Sequence, residues 1–199
     1  MTTSNRRTSE FPIDPMFLDR WSPRSFTGEA MDEAELLTLL DAAHWAPSAS
    51  NYQPWRFVYA LSTHLDWERF VGLLNESNQV WARSASALVF LFSDTLSRRD
   101  DGSAPRPLRS HSFDAGAAWA LLSLQALRSG YQAHAMGGVD FDAAVTLLGA
   151  PEGFRAEATV AIGKVAEAEQ LPEHLRSREA PSARKPLAEV AFAGAFPKA

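Results

Sequence analysis

The sequence predicts a single sheet flanked by helices, a fold of the α+β class, on three observations. Trp55, Phe57, Tyr59 and Leu61 alternate with Arg56, Val58 and Ala60, which is the period of a strand. Ala87 to Phe92 (ALVFLF) is a short unbroken apolar run that suits a strand covered on both faces at the centre of a sheet. Residues 113–129 carry Leu121, Leu122, Leu124 and Leu127 on one flank before Gly130, which is the pattern of a long helix with its stop.

The elements follow in order. Residues 1–16 are polar with two prolines and predict a flexible arm, leaving 17–199 as one domain; a chain of 199 residues is ordinarily one core. Asp32 with Glu35 three residues on forms a capping-box variant. Leu36, Leu37, Leu39, Leu40 and Ala43 then make a stripe until Pro47 disfavours helix at Ala46, so a helix is predicted over about 32–45. After the loop Pro47 to Pro54 comes the strand at 55–61, read as half-buried, and then a second helix over 63–76. Residues 95–111 are charged, with two prolines and a glycine, and too long for an idle connection; a lid or a disordered insert fits equally. The next helix opens on small residues, Ala115 to Ala118, which allow another helix to approach closely. A strand at 131–136 runs into Gly137 and Gly138, Asp140 caps a short helix ending by Gly149, and Ala158 to Val165 forms the last internal strand. Residues 166–186 have little periodicity, and the following LAEVAF suits a short terminal strand.

Composition excludes several classes of function. The chain is 46% hydrophobic and 22% charged, and no apolar run approaches the roughly 20 residues of a membrane helix. Net charge is -5 at pH 7, with Lys and Arg dispersed, which is not the footprint of a nucleic-acid binder. Without cysteine there is no disulfide, thiolate zinc site or thiol nucleophile. The five histidines stand at spacings unlike metal ligands, so no metal is expected. His111 and Asp114 have no accompanying nucleophile signature. The N-terminus lacks an apolar signal core, so the expected location is the cytoplasm.

Four constellations can carry chemistry. Arg20-Trp21-Ser22-Pro23-Arg24 alternates two guanidiniums and a hydroxyl along an extended segment, which suits a phosphate monoester, although a solvated turn has the same composition. Pro47-Ser48-Ala49-Ser50-Asn51-Tyr52-Gln53-Pro54 concentrates polar groups between two prolines and suits the edge of a heterocycle; Trp55 after it reads as a core anchor. Gly137-Gly138, between strand and helix, admits either a close approach of backbone to a ring or a plain turn, and lacks the third glycine of a dinucleotide fingerprint. Arg184-Lys185 is a basic pair in an acidic tail.

Taken together, RWSPRSF, LLDAAHWAPSASNYQPWRFV, DAGAAWALLSLQALRSGYQAHAMGGVD and RKPLAEVAF resemble the nitroreductase family over about residues 18–192. The resemblance implies a central, mostly antiparallel sheet wrapped by helices, a homodimer, and a C-terminal extension swapped onto the partner. It implies FMN held by Arg20, Trp21, Ser22, Arg24, Arg184 and Lys185 at the phosphate end. At the ring it implies Ser48, Ser50, Asn51 and Gln53, some reaching across from the partner, with Asn78, Gly137 and Gly138. Gly137 stands where many members carry Glu. The implied activity is reduction of a nitroaromatic, quinone or related small acceptor by NADPH or NADH in two half-reactions, with no protein group assigned as catalytic. Specialised flavin reactions (dehalogenation, dehydrogenation, flavin fragmentation) and flavin binding without turnover are the alternatives.

Overall fold

The computed structural model describes residues 7–98 and 103–197. Its elements in chain order are α1 (Met16–Asp19), α2 (Glu33–His44), β1 (Trp55–Leu61), α3 (Trp67–Val71), α4 (Glu76–Ala82), β2 (Ala87–Asp94), β3 (Leu96–Ser97), β4 (Arg106–Pro107), α5 (His111–Arg128), β5 (Gln132–Met136), α6 (Phe141–Leu147), β6 (Phe154–Gly163) and α7 (Glu173–Arg176). Four strands form one sheet in the order β1-β2-β6-β5, and every neighbouring pair is antiparallel. The α+β class and the antiparallel sheet are as the sequence predicts, and among the described residues no helix is long and apolar enough to cross a membrane.

The sheet separates two apolar layers, and β2 shows why. Leu88, Phe90 and Phe92 point to one side, against Phe26, Phe70 and Trp81; Val89 and Leu91 point to the other, against Leu36, Leu39 and Leu122. Successive side chains of a strand leave opposite faces, so an uninterrupted apolar run is what a doubly covered strand requires. On the second side the small residues Ala115 and Ala118 of α5 share a cluster with Leu36, Leu39 and Ala43 of α2, which is the close helix approach their size permits.

Five expectations change. β1 is covered on both faces: Val58 and Ala60 join one layer while Trp55, Phe57, Tyr59 and Leu61 join the other. The helix expected over 63–76 is instead two short helices, α3 and α4, parted where Leu74 bridges Val139 and the Asn75 side chain accepts from the Asn78 amide at 3.0 Å. The ends of the 95–111 stretch pair as the small β3–β4 ribbon, α5 already begins at His111, and 99–102 lie outside the described residues. LAEVAF is exposed, forms a 3-10 turn at Leu187–Glu189, and pairs with no strand among the described residues. β6 also begins earlier than periodicity indicates, at Phe154, because a bulge opposite Leu91 and Phe92 lets the pairing continue past Glu157.

Candidate functional site

Residues 19–23 are fixed to β5 by its side chains, and residues 24–27 to the chain beyond β6. Gln132 accepts from the Trp21 amide at 3.4 Å and donates to the Asp19 carbonyl at 3.4 Å. Two residues along the strand, His134 Nδ1 lies 2.8 Å from the Pro23 carbonyl, so the proton sits on Nδ1 and Nε2 is left as an acceptor. Glu179 closes the end of the segment: its Oε1 accepts from the amides of Arg24 at 2.7 Å and Ser25 at 2.8 Å. Its Oε2 lies buried 4.0 Å from the Arg24 guanidinium and without a hydrogen bond.

This scaffold presents a cavity of about 530 Å³ whose walls include Arg7, Arg20, Trp21, Ser22, Arg24, His134, Arg178, Ser182 and Arg184. Five guanidiniums therefore face one space, and the nearby Glu179 carboxylate is already engaged by two amides. Their mutual repulsion is visible in their acidities. Burial first, and then Arg184 and Arg7, lower the Arg20 pKa; burial and Arg178 lower that of Arg24. Partial burial, opposed by the Pro23 hydrogen bond but aided by Arg24 and Arg20, pushes His134 down to about 4, so its ring is neutral at pH 7. A site rich in donors and short of anions favours a multiply charged anion.

Arg20 and Ser22 also border a second, less polar cavity of about 420 Å³ formed with Phe17, Trp119, Leu124 and Ala135. From His134, β5 leads to the glycine turn, with Gly137 about 10 Å along at the usual rise of a strand. Gly138 is pinned by α4 and the loop before it: its carbonyl accepts from the Asn75 amide at 3.0 Å and from Asn78 Nδ2 at 3.1 Å. A Cβ there would come within 2.6 Å of Asn78 Nδ2 and closer still to Asn75. The loop 48–53 lines neither of these cavities. Ser48 Oγ accepts from the Gln53 amide at 3.0 Å, Asp114 accepts from the Ala49 amide at 3.2 Å, and Ser50, Asn51 and Gln53 all have positive φ (49°, 57° and 48°). Non-glycine residues rarely hold that conformation, and its concentration in one loop is typical of a site rather than of a plain connection.

The profile of the nitroreductase family matches residues 18–79, which include the Arg20–Arg24 segment, the 48–53 loop and Asn78. An oxidoreductase of known structure, described as containing FMN, is 55% identical, covers 99% of this chain and 99% of its own, and superposes with a TM-score of 0.95. The CLA biosynthesis enone reductase from Lactiplantibacillus plantarum is 30% identical over 77% of this chain and 85% of its own. The chain belongs to the nitroreductase family. A family member from Streptococcus pneumoniae, at 22% identity, shares the fold with a TM-score of 0.70 over 89% of this chain and 97% of its own.

Within this nitroreductase-family fold the predicted residues fall into three groups. Arg20, Trp21, Ser22, Arg24 and Arg184 line one cavity, although 160 residues of sequence separate Arg24 from Arg184. Lys185 is exposed and is not among the lining residues. Asn78, Gly137 and Gly138 meet at the glycine turn. Ser48, Ser50, Asn51 and Gln53 lie together in the strained loop and line neither cavity. Sequence reasoning missed Arg7, His134, Arg178 and Ser182 in the cavity wall and Asn75 at the glycine turn. Of these, His134 carried a usable signal, since it shares a strand with the glycine turn.

Proposed function

We propose that this chain is an FMN-dependent oxidoreductase that takes electrons from NADH or NADPH and passes them to a small organic acceptor. The observation that carries the proposal is the cavity in which Arg20, Ser22, Arg24 and Arg184 converge beside β5, the strand that leads to Gly137, where an added Cβ would meet nothing within 4 Å. The donor set fits a phosphate monoester dianion, and the 55% identical oxidoreductase containing FMN supports that choice of ligand.

In this reading Arg20, Arg24 and Arg184 hold the phosphate, with Ser22 donating a further bond and Lys185 adding charge nearby. Asn75 and Asn78 fix the Gly137–Gly138 backbone, where the lack of side chains lets it lie against a ring. Bound there, the flavin supplies hydride acceptance and release, while the protein supplies position and electrostatics. Ser48, Ser50, Asn51 and Gln53 line neither the basic cavity nor its less polar neighbour. We therefore assign them to the ring of a second copy's flavin, in a homodimer whose C-terminal extension crosses to the partner. Nitroaromatics and quinones are the acceptors the family implies. The enone reductase relative adds conjugated enones as a second class. A cytoplasmic location completes the proposal.

Purified protein is expected to be yellow and to release FMN rather than FAD on denaturation. Its absorbance should bleach under NADH or NADPH without oxygen and return when a quinone, nitroaromatic or enone is added. A colourless protein that takes up no added FMN would refute the proposal. A yellow protein that no nicotinamide bleaches would be a flavin binder without turnover.

A further inference from the structure

We propose that Arg7 is a positioning residue for the basic cavity, resting on the FMN reading above. Its guanidinium ties the C-terminal segment to the Arg20 segment, so that Arg184 is held over the phosphate. Arg7 Nε donates to the Ser182 carbonyl at 2.8 Å, and Nη1 donates to the carbonyls of Arg20 at 2.8 Å and Leu18 at 3.1 Å. One planar fork thus joins three stretches of chain, two of them 175 residues apart. Fixed donor directions make arginine suited to such a junction, and lysine cannot reproduce it.

The C-terminal segment needs this tie. From Ser182 to Pro197 every described residue is exposed, so burial does not hold it. Beyond Glu179, the other hydrogen bonds among the described residues are local: Arg184 bonds only to Ser182 and Ala183, and the backbone bonds from 186 to 195 stay within single turns. The tie also brings like charges together, and burial with the nearby Arg184 lowers the Arg7 pKa. A bound dianion relieves that repulsion, so closing the segment and binding the phosphate reinforce each other.

The test compares wild type with Arg7→Ala, Arg7→Lys and a deletion of residues 1–8, by FMN titration and by trypsin cleavage after Arg184 in the FMN-free protein. All three variants should bind FMN about tenfold more weakly, the size of one charge-assisted bond. All three should be cleaved after Arg184 faster than wild type. Full rescue by Arg7→Lys would reduce Arg7 to a source of charge and overturn the proposal, as would unchanged cleavage in Arg7→Ala. If wild type itself takes up no FMN, the functional reading fails and cleavage alone decides. Faster cleavage in all three variants then sustains the tie, and equal rates overturn it.

Discussion

His134 stacks on Trp81 with ring centroids 4.8 Å apart and stays neutral in the fold at any pH well above about 4, whereas in the unfolded chain it protonates near 6.5. Between those values the unfolded state holds the extra proton, so stability falls as pH drops from about 6.5 to about 4, by roughly 3 kcal/mol in total. Denaturant titrations at pH 7 and pH 4.5 should show that loss in wild type and a smaller one in His134→Gln. Arg20→Ala and Arg24→Ala should each weaken FMN binding by about 1.5–3 kcal/mol. They should differ in stability. Arg24 is the cation beside the buried Glu179 Oε2, so removing it leaves that carboxylate less compensated, and Arg24→Ala should melt earlier than Arg20→Ala. The Arg20, Ser22 and Arg24 alternation was legible because a two-residue period is local. Arg7 and Asn75 were not, because each acquires its role from a group some 60 or more residues away.

At the scale of elements, α2 was legible from its cap, stripe and stop, α5 from its leucine flank and Gly130, β2 from its unbroken apolar run and β5 from the glycines that follow it, and the Asp32 amide indeed donates to Glu35 Oε2 at 3.0 Å. Where a local pattern was wrong, a distant partner had outweighed it. Gly138 and Val139 draw residues 74–75 out of helical geometry, and the bulge at Glu157 extends β6 by four residues beyond the start its own periodicity gives. The end of β6 depends on a different contact. A Cβ on Gly163 would meet the Phe26 ring at 2.8 Å, and Phe26 is buried at the bridge to Val165 that sets the Arg20–Arg24 segment in place. Gly163→Ala should therefore cost about 1–3 kcal/mol in denaturant unfolding, the usual scale of overpacking, and should weaken FMN binding through that segment.

For the molecule as a whole, the polar loop does not line the basic cavity, and large apolar side chains remain uncovered: Trp45 is 75% exposed, Phe113 81% and Phe196 87%. Scattered exposed hydrophobics are ordinary, but these flank the loop and end the C-terminal segment. If two copies share each flavin, deleting residues 187–199 should loosen the dimer and the flavin together. Sedimentation followed at the flavin band, across protein concentration, reads both at once. Monomers retaining stoichiometric FMN would show that the site is built within one chain. Periodicity could not have reported these exposures, because it reads only the faces a chain buries against itself.

The left-handed residues Ser50, Asn51 and Gln53 have an evolutionary consequence. Each costs of order 1 kcal/mol in a backbone that glycine would adopt freely. If these side chains serve the flavin as proposed, the loop trades that stability for function, and selection for thermal endurance alone would replace them early. A screen of this chain for heat resistance should accordingly find Ser50→Gly among its first gains, and the same variant should be among the poorer ones in a screen for turnover.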